Sequence, residues 1–292
     1  MIGRRILTAA VLIPAVAALV LWGTTWGVTL CVGAVTLAAL VEYFALGAEI
    51  GQRGYRIWTG LCALLLVYTQ WLWAEARSFP LAGGVTLHGA AWASVLSRPP
   101  ALHDIVFLFV LGVCVGIVFM RRPLAEALPA AGISASGLLL VAFPLSFAIR
   151  LHGEGQYGPR LLLFALVLVW VGDTLAYFAG KSFGRKKLAP QLSPHKTWEG
   201  ALASLIGSLL VGFVFARWIP APLPHLLGMA AAANLAGQMG DAAESAYKRS
   251  AGVKDSGSLL PGHGGVLDRI DALILAIPAV WYYWHLVIAP FD

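Results

Sequence analysis

The sequence predicts an all-α, polytopic integral membrane protein of about nine transmembrane helices. Three observations carry that prediction. Hydrophobic residues make up 59% of the 292 residues and charged residues only 12%. Mean hydropathy is +0.80, outside the range of soluble domains. Apolar runs long enough to cross a bilayer recur along the chain, each bounded by charge, Gly or Pro.

Taken in order, the first run, 5–23, follows Arg4 and Arg5. It has the charge and length of a secretory signal, but the many later spans favour a retained first helix. Runs 26–47 and 58–74 come next. Residues 75–103, with Pro80, Gly83, Gly84, Pro99 and Pro100, do not read as a span, although Trp92 suits the membrane interface. The remaining runs are 104–120, 130–149, 160–180, 198–217, 223–240 and 266–288. The expected organisation is one structural unit, with residues 1–150 supplying N-terminal helices and 151–292 C-terminal helices that carry the polar motifs. No internal repeat is evident.

The net charge of +6 serves topology and anionic headgroups before anything else, so nucleic-acid binding is not expected. With the N-terminus in the cytoplasm, only Arg77, Arg98, Arg150, Arg160 and Arg217 of the 20 basic residues fall on the opposite face. The positive-inside rule therefore places the loops at 181–197 and 241–265 together in the cytosol and the C-terminus outside. Cys31, Cys62 and Cys114 lie in separate apolar stretches and read as small core residues.

Seven of the 14 acidic residues lie between 173 and 271: Asp173, Glu199, Asp241, Glu244, Asp255, Asp268 and Asp271. Acids near membrane depth are costly and usually functional. Asp268 and Asp271, three apart, share a face at the start of the last helix, and Asp241 can approach them if the polar loop folds back. Three carboxylates at one membrane surface suit a hard divalent ion such as Mg²⁺; helix capping is the other reading of the same spacing. Pro261-Gly262-His263-Gly264-Gly265 lets backbone approach a phosphate at a helix N-terminus, or forms an ordinary turn, and it is not a Walker loop. Ser245 and Lys248 fall near Asp241 if the helix continues past the membrane. Lys248, Arg249 and Lys254 then offer cations to phosphate, or to lipid headgroups. His263 has no histidine partner at a metal-binding offset, which argues against zinc.

Asp173 precedes Tyr177 and Lys181 at four-residue steps, so it either pairs with Lys181 or lines a polar cavity. In Ser193-Pro194-His195-Lys196-Thr197-Trp198-Glu199-Gly200, Ser193 or Thr197 caps the next helix. Lys196 beside that N-terminus is unfavourable for the helix dipole unless an anion lies nearby.

These motifs resemble the phosphatidate cytidylyltransferase family. The family signature, Ser-x-apolar-Lys-Arg, then Lys-Asp, then His-Gly-Gly-apolar-x-Asp-Arg-apolar-Asp, runs from Ser245 to Asp271, with Tyr247 where an aliphatic residue or Phe is usual. Gly240-Asp241, the 193–200 element with His195 in place of lysine, and Trp170, Asp173, Ala176-Tyr177 and Gly180 resemble neighbouring family motifs. The resemblance implies transfer of a cytidylyl group from CTP to phosphatidate, giving CDP-diacylglycerol and pyrophosphate, and the compact chain without long soluble tails suits a bacterial inner membrane. It implies catalytic roles for Asp241, Lys248, Asp268 and Arg269. It implies Mg²⁺ on Asp241, Asp268 and Asp271, leaving a second cation open. Substrate contacts would come from Asp173, Ser193, Lys196, Thr197, Ser245, Arg249, Lys254, Asp255, His263, Gly264 and Gly265. A homodimer is compatible with this reading. A different CTP- or CDP-linked lipid phosphotransferase and a cation-coupled transporter are the competing functions.

Overall fold

Apolar segments without water around them must satisfy their backbone polar groups internally, and helices do so within one segment. The computed structural model describes residues 2–78, 100–119, 123–257, 259 and 264–289, and these are overwhelmingly helical. Helix α1 is Ile2–Trp22, α2 Thr25–Glu49, α3 Arg56–Ser78 and α4 Leu102–Phe119. Helix α5, Ala127–Ser136, runs through a π turn at Gly137–Ala142 into α6, Phe143–His152. Then come α7 (Gly158–Phe183), α8 (Trp198–Phe215), α9 (Leu223–Ser250) and α10 (Leu267–Tyr283), the last continuing as a π turn over Trp284–Ile288.

Among the described residues, seven helical stretches are long and apolar enough to cross a membrane: 25–49, 56–75, 102–119, 124–152, 155–183, 198–215 and 267–288. The expected spans at 5–23 and 223–240 are also helical, as α1 and α9. In α1 the apolar stretch is the shorter Ala10–Trp22. Helix α9 is 28 residues long, but Asn234, Gln238, Asp241, Glu244, Lys248 and Arg249 make it the polar wall of the bundle. Most of the expected non-spanning stretch at 75–103 lies outside the described residues.

One element was not expected from the sequence. Between α7 and α8 the chain forms an antiparallel hairpin of β1 (Lys187–Ala189) and β2 (Ser193–Thr197), paired Lys187 to Thr197 and Ala189 to Ser193. Three- and five-residue strands with polar side chains carry no alternation strong enough to announce themselves.

Helix α8 packs between α7 and α9, while α10 packs on α9, α6 and α7 and also touches α2. Phe164, Leu168, Leu226, Met229 and Leu267 are fully buried at these contacts. Helices α9 and α10 approach closely at Gly240: a Cβ there would stand 2.5 Å from the Asp271 carbonyl oxygen. Small residues permit such approaches in membrane bundles. The outward faces carry Phe107, Val118, Leu210, Phe213 and Leu286, as a lipid-facing surface should. The cysteine reading needs one correction. Cys62 is buried and Cys31 partly so, but Cys114 is exposed. Helix α4 buries only the stripe Ile105, Phe109, Val113 and Gly116, and Cys114 lies off it.

Candidate active site

The hairpin is held against the head of α8. Thr197 caps that helix, its Oγ1 accepting from Gly200 N at 3.2 Å. The Glu199 carboxylate, in the first turn, accepts from Arg185 N at 3.1 Å and Lys186 N at 3.3 Å. The cap expected of Ser193 or Thr197 is therefore made by Thr197, and Ser193 sits on β2 with its side chain toward a cavity.

That cavity, about 150 Å³, is enclosed by α7, the hairpin, α8 and α9, and Asp173, Ser193, Lys196, Thr197, Asp241 and Ser245 all line it. Lys196 Nζ lies 2.5 Å from Asp241 Oδ2, joining the two sequence motifs across more than forty residues. The anion expected near Lys196 is thus Asp241. Asp173 faces the charges of both Asp241 and Lys196. Its expected alternative partner, Lys181, instead lies 5.9 Å from the Tyr177 ring centre, a cation–π contact. Below the cavity, Asn234 Nδ2 donates to Ser204 and Ser208 Oγ at 2.8 Å each, and Gln238 Nε2 donates to Asn234 Oδ1 at 2.7 Å. These bonds satisfy polar groups at membrane depth.

A second polar cluster joins α9, the following loop and the head of α10. Lys248 Nζ donates to Asp268 Oδ1 at 2.6 Å and forms an ion pair with Glu244 one turn earlier. Asp268 Oδ2 accepts from Gly265 N at 2.9 Å and Ser256 N at 3.0 Å. Glu244 and Lys248 lie beyond the apolar part of α9. Burial pushes the Glu244 carboxyl up to about 7, with Lys248 pulling against it. For Lys248, burial alone would lower the ammonium's pKa, but the bonds from Asp268 and Glu244 outweigh it and hold it above the ordinary lysine value. Glu244 Oε1 is buried without a hydrogen-bond partner among the described residues.

Asp271 sits one turn into α10, within the field of Asp241, Glu244 and Asp173, so it links the two clusters electrostatically. Arg249 donates to the carbonyls of Leu192 and Val253, both at 3.2 Å, tying the hairpin to the loop after α9. Those bonds bring the expected same-side loops together. Lys254 and Asp255 are exposed in that loop, and Arg269 is exposed on the first turn of α10; none of the three lines the cavity. Gly264 adopts φ of +84°, a left-handed conformation that glycine takes without strain. His263 lies outside the described residues. Tyr247, the departure from the usual aliphatic residue, packs edge-on against Tyr43 of α2 with ring centres 5.8 Å apart.

One site residue went unseen in the sequence. Glu42, only 3% exposed in α2, accepts from Ser256 Oγ (3.0 Å), Val266 N (3.0 Å) and Leu267 N (2.8 Å). It, and not Asp271, caps the head of α10. The signal was available: a carboxylate inside the apolar run 26–47 meets the same criterion that singled out the later acids.

Among the described residues no three His, Cys, Asp or Glu side chains converge as a metal cage. Asp241 is engaged by Lys196 and Asp268 by Lys248. Mg²⁺ is commonly held by one or two carboxylates completed by substrate phosphates, and the oxygen donors here, including the unpartnered Glu244 Oε1, fit that ion in kind.

Comparison with known proteins agrees along nearly the whole chain. A sequence model of the cytidylyltransferase family matches residues 3–287. The phosphatidate cytidylyltransferase of Haemophilus influenzae is 33% identical over a 306-residue alignment covering 99% of this chain and 100% of that protein. The phosphatidate cytidylyltransferase of Brucella abortus is 32% identical, covering 82% of this chain and 88% of its own length. That of Bacillus subtilis is 40% identical over 47% of this chain and 51% of its own length.

Proposed function

The chain belongs to the cytidylyltransferase family, and from that premise we propose that it transfers a cytidylyl group from CTP to phosphatidate, releasing pyrophosphate and forming CDP-diacylglycerol. The observation that carries the proposal is the cavity in which Asp173, Lys196, Asp241 and Ser245, from four separate motifs, meet in a largely apolar bundle. Such a site can serve a lipid whose chains stay among the helices and a nucleotide that arrives from water.

In the reaction an oxygen of the lipid phosphate attacks the α-phosphorus of CTP. A new P–O bond forms, the bond to the α,β-bridging oxygen breaks, and its electrons leave with pyrophosphate. The lipid phosphate is already a nucleophile, so the site has to position reactants and absorb negative charge more than it has to remove a proton. Lys196, which lines the cavity, and Lys248, in the neighbouring cluster with Glu244 and Asp268, would do that work. Each is held by a carboxylate that an incoming phosphate group can replace or share, with Asp241 and Asp268 keeping the ammonium groups oriented. Ser193 and Ser245 present hydroxyls to the same cavity. Arg249 holds the hairpin over it. Mg²⁺ is part of the proposal: Asp241, Asp268 and Asp271 do not converge on one point by themselves, so they would hold the ion only with CTP phosphates completing its shell, and it would neutralise charge building on the leaving pyrophosphate. The cytosol, where CTP is available, is the compartment onto which we place this face, in a bacterial inner membrane.

The test is purified protein in detergent or liposomes with phosphatidate and CTP labelled at the α-phosphate. Label in a nucleotide-bearing lipid with matching pyrophosphate release is expected, and chelation of divalent ions should abolish it until Mg²⁺ is restored. No labelled lipid, under conditions that support a known phosphatidate cytidylyltransferase, overturns the assignment. Free CMP or CDP in its place would point to a different phosphotransferase.

A further inference from the structure

Glu42 lies in α2, in the half of the chain that carries none of the family's signature, yet its three side-chain hydrogen bonds among the described residues go to residues at least 214 positions away. Oε1 accepts from Val266 N, and Oε2 accepts from Leu267 N and from the Ser256 hydroxyl. Asp268 holds the same two segments from the other side, accepting from Ser256 N and Gly265 N. Ser256 and the stretch Gly265–Leu267 at the start of α10 are therefore clamped between two carboxylates, one of which also receives Lys248.

The clamp leaves no room for other side chains. A Cβ on Gly265 would stand 2.1 Å from Ser256 Oγ and 2.5 Å from Glu42 Oε2, and one on Gly257 would stand 2.5 Å from Glu42 Oε1. Gly265, expected from the sequence to bring backbone close to a phosphate, has a packing reason of its own. The clamp also demands a carboxylate. Each oxygen of Glu42 faces a backbone N–H, so a glutamine in either orientation sets an NH₂ group against a donor. A negative group at the first amides of α10 further suits the helix dipole.

We propose that Glu42 is a positioning residue for the cytidylyl transfer: by holding Val266, Leu267 and Ser256, it sets where Asp268, and through it Lys248, stand at the reacting phosphates. This rests on the function proposed above. Helix α2 is then part of the catalytic apparatus, and the N-terminal half does more than anchor the chain in the bilayer.

Three proteins test it: wild type, Glu42→Gln and Ser256→Ala, the last losing one of the three bonds while keeping the Ser256 amide on Asp268. Steady-state kinetics in liposomes and hydrogen exchange across 256–268 are measured on each. The Glu42→Gln protein should lose about 10- to 100-fold in kcat, as small misplacements of reacting groups do, while KM for CTP and phosphatidate stays within about twofold. Its amides at Val266 and Leu267 should exchange faster, and Ser256→Ala should show both effects more weakly. Unchanged kcat in Glu42→Gln overturns the proposal, whether or not exchange accelerates. A general rise in KM or a global loss of exchange protection also overturns it, since a merely structural residue would behave so. If Glu42→Gln does not fold, Ser256→Ala decides on the same readouts. Wild-type protein inactive toward CTP and phosphatidate would strike the proposed function itself, while unchanged exchange at Val266 and Leu267 in an active Glu42→Gln protein would strike only the clamp.

Discussion

Replacing Asp268 by Asn keeps the size of the side chain and one acceptor oxygen, and removes the charge. The wild-type carboxylate, 8% exposed, binds Lys248 Nζ at 2.6 Å with one oxygen and two backbone amides with the other. The asparagine must turn its NH₂ either toward the ammonium or toward the amides, and both are donors. Removing one partner of a buried pair costs roughly 3–5 kcal/mol. Here Glu244 still faces Lys248, so a loss of about 2–3 kcal/mol is the expectation. The effect on turnover should be larger than folding alone explains, because Lys248 and the proposed metal both depend on this carboxylate. About 100- to 1000-fold in kcat/KM, or roughly 3–4 kcal/mol, is typical when one preorganised electrostatic group is lost. The assay is labelled-lipid formation across CTP and phosphatidate concentrations, with thermal unfolding in the same detergent. A double-mutant cycle with Lys248→Met should show the two losses to be strongly non-additive. Asp268→Asn protein that unfolds like wild type and keeps its kcat/KM within about threefold would refute the role assigned to this carboxylate.

Three further outcomes follow from the same geometry. Lys196→Met leaves Asp241 without its cation; because both side chains are about 30% exposed, stability should change by less than about 1 kcal/mol while KM for CTP rises about tenfold or more, measured by steady-state kinetics. Gly240→Ala drives a methyl into the Asp271 carbonyl and should cost about 1–3 kcal/mol in thermal unfolding by prising α9 from α10. Glu244 has an ordinary value of 4.5 and a folded value of about 7. Its raised pKa favours the folded state fully below about 4.5, and that contribution is lost as pH rises through about 7. Glu244→Gln should therefore flatten the fall of melting temperature between those two values, and an unchanged pH profile would count against the buried carboxyl.

The membrane class, the helical runs and the motif segments are legible in the sequence because each is a local property. Hydrocarbon over about 20 residues declares a span wherever it occurs. Ser193 and Thr197 before a helix start declare that a cap is there, though not which of the two makes it, and the spacing from Ser245 to Asp271 carries the family likeness without any fold. The partners of the charges are not local. Lysine and aspartate attract at any sequence separation, so nothing in 193–200 announces that Lys196 meets Asp241, nor that Lys181 turns to Tyr177 and not to Asp173. The hairpin at 187–197 depends on Glu199 and the head of α8 more than on the propensity of its strands. Glu42 shows the division most clearly. Its residue type and apolar surroundings required it to find hydrogen-bond donors somewhere, since a buried carboxylate without them is too costly to keep. Which donors it found, the amides at the head of a helix 224 residues onward, only the packing of α2 against α10 decided.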